Sequence, residues 1–199
     1  MVPLLLGSVL TIGLCIERAL FFSGLQRGGT TFLANLQELL NQGKRAEAVE
    51  WLRKLHGPVP ATAMAVLQHW TSGRQAMEDA VAARSRMEQP ALYRYLNVLE
   101  TTVTASPLIG LLGTITGMMG VFRAVSAKMA SGPNADTTQI LAGIGEALVA
   151  TATGILLAVV ALLAHNTFQS MAERHLEESE LVSDQLLLAH TQESQETPA

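Results

Sequence analysis

The chain has 199 residues, of which 49% are hydrophobic, 15% charged and 5% aromatic, and its formal net charge is -4. Charge this sparse lies below the roughly 25% of ordinary soluble domains, and aromatic residues are too few for a conventional core. The small negative charge argues against a polyanionic partner such as nucleic acid, and the single cysteine, Cys15, excludes an intrachain disulfide.

Val2 to Ile16 is apolar or small throughout, Glu17 and Arg18 interrupt it, and Ala19 to Phe22 completes the run. A secretory signal peptide would carry Lys or Arg ahead of the apolar stretch and a small-x-small site behind it, and neither is present. Residues 1–22 are therefore read as a retained transmembrane helix, with Arg18 beside Glu17 snorkelling at the headgroup level. Residues 23–100 hold nine of the 13 Lys and Arg residues and seven acids, and read as a soluble helical segment. In it, "TTFLANLQELLNQG" sets Phe32, Leu33, Leu36, Leu39 and Leu40 on one stripe and closes at Gly43. A second amphipathic piece, Lys44 to His56, is ended by Gly57, Pro58 and Pro60. Gln89 and Pro90 look like a helix start, from which one helix would run without a break into the next apolar run.

That run, Thr101 to Phe122, carries no charge, and it defines a second span over residues 101–125. A short loop over residues 126–136, containing "SGPNAD", leads to a third span over residues 137–166. Ile140 to Ala164 is 25 residues with one ionisable group, Glu146, and at 1.5 Å rise per residue it reaches roughly 37 Å, enough to cross a bilayer. Residues 167–199 continue at helical spacing, with Leu176, Val182 and Leu186, into a polar tail from Thr191 that is expected to be disordered. The fold class is thus an all-α membrane protein of three transmembrane helices with long helical extensions. Arg18, Arg27, Arg84, Arg86, Arg94 and Arg174 lie near one set of span ends, against Arg123 and Lys128 at the other, so the N-terminus should face out and the extensions inward.

Enzymatic motifs are absent. "GIGEAL" from Gly143 lacks both a preceding strand and the third glycine of a dinucleotide fingerprint, and "GLLGTITG" from Gly110 lacks the lysine of a phosphate loop. The five histidines have no metal-ligand spacing, although His165 stands at the inner end of the third span. Trp51 and Trp70 read as core residues of the soluble segment. The expectation is a protein that is not an enzyme and takes no metal or cofactor.

The spans carry small residues in register. Gly110, Gly113, Gly117 and Gly120 share one helix face, and Gly143, Ala147, Ala150, Gly154, Ala158 and Ala161 form a matching stripe. Such stripes let helices pack by close contact, within the chain and between copies. Hydroxyls recur as well, at Thr101, Thr102, Thr104, Ser106, Thr114 and Thr116, and then at Thr151 and Thr153. Pro107 offers no N–H to the carbonyl of Val103, so the second span should bend there. With the outer ends of the spans level, Glu146, Thr114 and Thr151 lie roughly 9, 12 and 16 Å from that end, in one depth zone. A lone carboxylate in hydrocarbon costs about 3 kcal/mol or more, so Glu146 should face a packed or hydrated interior.

"ASPLIGLLGTITGMMGVF" (Ala105 to Phe122) and "ILAGIGEALVATATGI" (Ile140 to Ile155) closely resemble the two membrane signatures of the MotA/TolQ/ExbB proton channel family. "PLLLGSVLTIGLCIERALFF" looks like that family's first span, and the likeness is nearest to the ExbB branch. The resemblance implies a bacterial inner-membrane proton-channel subunit, a homo-oligomer that would be a pentamer, around an ExbD/TolR-like single-span partner. The assembly would use the proton gradient to drive a TonB/TolA-like protein. By position in the motifs, Glu146, Thr114 and Thr151 match the family's polar pathway residues. The chain departs from the family's pattern at Val160, where proline is frequent, and at His165, where tyrosine is frequent. The alternatives within this resemblance are a TolQ-like subunit of the Tol-Pal envelope system and a flagellar-stator subunit, though that branch has four spans. A structural scaffold is the alternative from another class, and it predicts that an apolar residue can replace Glu146 without loss.

Overall fold

The computed structural model describes residues 2–131 and 138–196, and every described element is a helix. In chain order these are α1 (Val2–Ser23), α2 (Thr30–Asn41), α3 (Arg45–Arg53), α4 (Pro58–Gln68), α5 (Arg74–Leu92), α6 (Leu96–Ser131) and α7 (Thr138–Glu196). They form two compact units. One comprises the chain through Arg18 with Tyr95–Thr167, and the other comprises Ala19–Arg94 with the chain from Phe168 onward.

The first unit is built from α1, α6 and the start of α7, each long and apolar enough to cross a membrane. Its surface shows why it needs lipid: Leu5, Leu6, Val9 and Leu10 of α1 are all more than half exposed, as are Leu108 and Leu112 of α6 and Leu141 and Leu148 of α7. In hydrocarbon such side chains lose nothing by exposure. The apolar part of α7 lies at its start, because the whole 59-residue helix is roughly 90 Å long, about three times the thickness of a bilayer core. The inward side of α1 is a heptad line of Leu4, Thr11 and Arg18, all buried. Arg18 does not snorkel. Its guanidinium is 1% exposed, forked onto Glu17 with Nε to Oε2 at 2.5 Å and Nη2 to Oε1 at 2.7 Å, and it lies 5.4 Å from the centre of the Tyr95 ring. A carboxylate and an aromatic face together satisfy the charge, so it has no need to reach water.

The second unit has a conventional apolar core. The α2 stripe buries Phe32 and Leu36, α3 adds Ala48 and Leu52, and α5 adds Met77. Burying each large side chain contributes about 1.5–3 kcal/mol before entropic costs. Helix α4 is buried on almost every side, which its alanines and valines permit and which marks it as the centre of the unit. The expected breaks hold: Gly43 closes α2 with a φ of +71°, and Gly57, at φ +121°, precedes Pro58 in the first turn of α4.

Further sequence expectations are corrected. Pro90 does not start a helix but lies in the last turn of α5, and the break falls at residues 93–95, where Tyr95 adopts a φ of +65°. Tyr95 then accepts from the N–H groups of Val98 and Leu99, so it caps α6. Positive φ in a residue other than glycine is costly, and the Arg18 contact to the ring helps hold it. The polar tail is helical through Glu196, because α7 is anchored near its end by Glu193, which accepts from Arg45 (2.5 Å) and from Trp70 Nε1 (3.1 Å). Helix α6 continues to Ser131, into the stretch expected as loop; most of the "SGPNAD" segment, like residues 197–199, lies outside the described residues.

Candidate functional site

The site is the α6–α7 seam of the first unit. Glycine permits a separation at which backbones touch: a Cβ placed on Gly110 would lie 3.0 Å from the Ala150 carbonyl oxygen and 3.1 Å from the Thr151 Cα. On Gly113 it would meet Ala150 Cβ at 2.6 Å, and on Gly117 it would meet Ala147 Cβ at 2.8 Å. From the other helix, a Cβ on Gly143 would meet Val121 at 2.9 Å and one on Gly154 would meet the Ser106 carbonyl oxygen at 2.5 Å. These five glycines form the seam. Gly120 does not join it, since a Cβ there would meet nothing within 4 Å.

The contacts fix the relative heights of the polar residues. Glu146 precedes Ala147, which faces Gly117, while Thr151 is level with Gly110 and Thr114 lies between those two levels on α6. From Glu146 to Thr151 is about 7.5 Å along α7, so the three occupy one zone. Their bonding differs. Thr114 donates to the Leu111 carbonyl one turn back, at 2.7 Å, as Thr101, Thr102, Thr104, Thr116 and Thr153 do with carbonyls of their own helices. Thr151 instead reaches across the seam and donates to the Gly110 carbonyl at 3.0 Å. That oxygen is reachable because no side chain at 110 stands in front of it.

Glu146 flanks the seam and is exposed, and among the described residues no hydrogen bond or ion pair engages its carboxylate. Val149, three residues on and therefore on the same face of α7, is 52% exposed. Pro107 lies inside α6 and leaves the Val103 carbonyl without its usual N–H. At the other end of the unit, His165 Nδ1 lies 3.2 Å from the Leu96 carbonyl oxygen and ties α7 to the first turn of α6. Sequence reasoning named Thr151 without anticipating its cross-helix bond, and it missed Arg18 and Tyr95 as a structural pair. Only the adjacency of Glu17 and Arg18 hinted at the latter. Among the described residues no group of three or more His, Cys, Asp or Glu side chains could hold a metal ion.

Comparison with known proteins gives a consistent result. Residues 54–181, which include the α5–α6 break and the whole seam, match the MotA/TolQ/ExbB proton channel family. The protein named biopolymer transport protein ExbB-like 3 of Synechocystis sp. is 32% identical over 188 residues, covering 92% of this chain and 85% of that protein. The biopolymer transport protein exbB1 of Vibrio cholerae is 28% identical over 176 residues, 86% of this chain and 75% of its own. The Tol-Pal system protein TolQ of Pseudomonas aeruginosa is 35% identical over a shorter stretch of 102 residues, 49% of this chain and 42% of that protein.

Proposed function

The chain belongs to the MotA/TolQ/ExbB proton channel family, and from that membership we propose that it is an ExbB-like motor subunit of the inner membrane. In this reading several copies, five by the family's pattern, surround the span of an ExbD-like partner. Together they couple proton entry to movement of a TonB-like protein that energises outer-membrane transport. The N-terminus faces the periplasm, and the second unit lies in the cytoplasm.

The observation that carries the reading is the setting of Glu146. A carboxylate exposed on the same face as Val149 of a membrane-spanning unit is costly in lipid, by about 3 kcal/mol or more, and among the described residues the protomer gives it no partner. Copies arranged with this face inward would place several carboxylates, with the Thr114 hydroxyls at nearly the same height, around one axial partner. Thr151 has a different part in this scheme. Its hydrogen is committed to Gly110, so it holds the two helices at the spacing that keeps Glu146 on the inner face, and its oxygen remains free to accept. Each proton crossing 100 mV delivers about 2.3 kcal/mol, which becomes work only if passage is tied to movement between the ring and its partner.

The test is Glu146→Ala and Glu146→Gln, each checked for membrane assembly and then for transport driven by the proton gradient. Loss in both supports a carboxylate that relays protons, and loss in Ala with substantial activity in Gln supports a polar gate. An assembled Glu146→Ala protein working at the normal rate would exclude Glu146 as the site. A TolQ-like role in the Tol-Pal system is the second reading, favoured by the 47% identity to Haemophilus influenzae TolQ over 70 residues. Identifying the single-span protein that co-purifies decides between the two.

A further inference from the structure

The inference rests on the homo-oligomer of the reading above and concerns where copies meet outside the membrane. Beyond Phe168, α7 buries Ala172, Val182 and Leu186 against its own unit. Its opposite side presents Leu181, 61% exposed, and Leu188, 58% exposed, seven residues apart and therefore on one line. Glu177, Glu180 and Asp184 flank them, all exposed, and among the described residues nothing pairs with their carboxylates. Leucines facing water outside the bilayer form the kind of apolar face that a partner covers. The acids narrow the choice. An anionic lipid surface would repel this face, and the same face of a second copy would set like charges together.

A complementary surface lies on the same unit. Helices α4 and α5 enclose an open groove of about 550 Å³ lined by Ala65, Ala76, Ala80 and Ala83, with Arg84 and Met87 at one end. Met87 is 69% exposed; Arg86, next to it in sequence, is exposed, and among the described residues no hydrogen bond or ion pair engages it. Arg84 bonds Glu88 at 2.7 Å, yet its Nε is buried with no acceptor. His69 and Asp79 complete the rim, and Asp79 is engaged by the Gln75 amide at 3.3 Å. A floor of small residues with guanidinium groups at one end suits a ridge of leucine with acids beside it.

The register agrees. Within the unit α5 and α7 run in opposite directions, since Arg74 Nη1 donates to Thr191 Oγ1 at 3.3 Å while Tyr93, at the far end of α5, lies in the field of Glu173. Counting inward from these ends puts Ala76 level with Leu188, Ala83 level with Leu181, and Arg84 and Arg86 level with Glu180, to within one to two residues (about 1.5–3 Å). Copies related by rotation about an axis along these helices keep every residue at its own level. We infer that the Leu181–Leu188 face of α7 docks into the α4–α5 groove of the next copy, forming a head-to-tail seam around the ring.

The test uses the full-length chain in native membranes, with Cys15→Ser and the pair Leu181→Cys and Ala83→Cys, treated with a short thiol cross-linker. A ladder of multimers that needs both cysteines is expected. Arg86→Glu should cut the ladder about fivefold, and Glu180→Arg in that background should restore it. Leu181→Cys cross-linking by itself into dimers, a product joined to a different protein, or failure of the charge reversal to restore the ladder would each overturn the seam. The mass of the purified assembly separates the two levels of the argument. A ring without the ladder refutes the seam alone, and a monomer refutes both the seam and the oligomer it rests on.

Discussion

Gly154→Ala tests the proposition that backbone contact sets the spacing of α6 and α7. The added methyl would lie 2.5 Å from the Ser106 carbonyl oxygen, 3.1 Å from Gly110 Cα and 3.3 Å from Gly110 N. All three are backbone atoms, so no side chain can rotate away, and the helices must part by about 1 Å to regain ordinary contact. Overpacking of this kind costs about 1–3 kcal/mol. The same displacement stretches the 3.0 Å Thr151–Gly110 bond towards 4 Å, which forfeits about 0.6 kcal/mol more. Alanine returns at most about 1 kcal/mol through helix propensity. The net expectation is a loss of about 1–3 kcal/mol, roughly five- to hundredfold in the folding equilibrium. Gly120→Ala is the control, because its methyl meets nothing and only the propensity gain applies. SDS titration in mixed micelles should show Gly154→Ala unfolding at clearly lower SDS than wild type and Gly120→Ala unfolding at equal or higher SDS. Rescue is available at the neighbouring contact, where Gly113→Ala should be harmful alone and tolerated with Ala150→Gly, which removes the Cβ 2.6 Å away. Coincident transitions for Gly154→Ala and Gly120→Ala would refute the reasoning.

Other perturbations address other parts of the chain. In a Cys15→Ser background, a cysteine replacing Met129, which is 85% exposed, should react with an impermeant thiol reagent applied outside, and one replacing Gln42 should not; the reverse pattern overturns the orientation. Arg45→Gln removes the ion pair that holds Glu193, so limited proteolysis should cut the end of α7 several-fold faster, and an unchanged rate would show that the contact does not anchor the helix. His175, buried with its Nδ1 unpartnered, has its pKa lowered chiefly by burial, with Glu178 opposing and Arg27 and Arg174 adding to the shift. The unfolded chain therefore binds the proton more readily, so the second unit should lose stability as pH falls through the ordinary histidine range near 6.5 and keep it above that range. His175→Phe should flatten this part of the pH profile of thermal unfolding, and an equally steep profile would assign it to other groups.

The membrane plan was legible because its signals are local and strong. Uncharged runs long enough to cross a bilayer, one carboxylate in a span and glycines at spacings of three and four can all be read without knowing what they touch. The α5–α6 break was not, since Pro90 carries a visible signal whereas nothing about tyrosine announces a positive φ at position 95. The contact that helps hold it comes from Arg18, which lies 77 positions earlier in the sequence. The end of α7 was misread for a similar reason. Thr191 to Glu196 has the composition of a loose tail, and only its partners, Arg45 and Trp70, distant in sequence, make it an anchored helix. Thr114 and Thr151 show the same limit at finer scale. Both are threonines among small residues in membrane helices, yet one bonds its own helix and the other bonds its neighbour.

The glycine stripe changes meaning once its contacts are known. A sequence cannot distinguish a face that packs within a chain from one that packs between chains, and the stripe invited both readings. In the structure Gly110, Gly113 and Gly117 are all taken up by α7 of the same chain, so they are not free to receive a second copy. The surface left for assembly in the membrane consists of large side chains on the outer faces of the same helices, such as Leu108, Leu112 and Ile115, together with Glu146 and the open position at Gly120. Lipid tails already satisfy leucine, so these apolar faces give little net reason for copies to associate. The carboxylate is different: every arrangement that leaves Glu146 in hydrocarbon is penalised, and any arrangement that gathers it around water or a polar partner relieves the penalty once per copy. The group to which the proposed function assigns the proton chemistry is thus also the one that most favours assembly. On that reading an apolar replacement of Glu146 should leave the protomer's fold, and even its insertion, unharmed while removing the reason for the proposed inward face to stay inward.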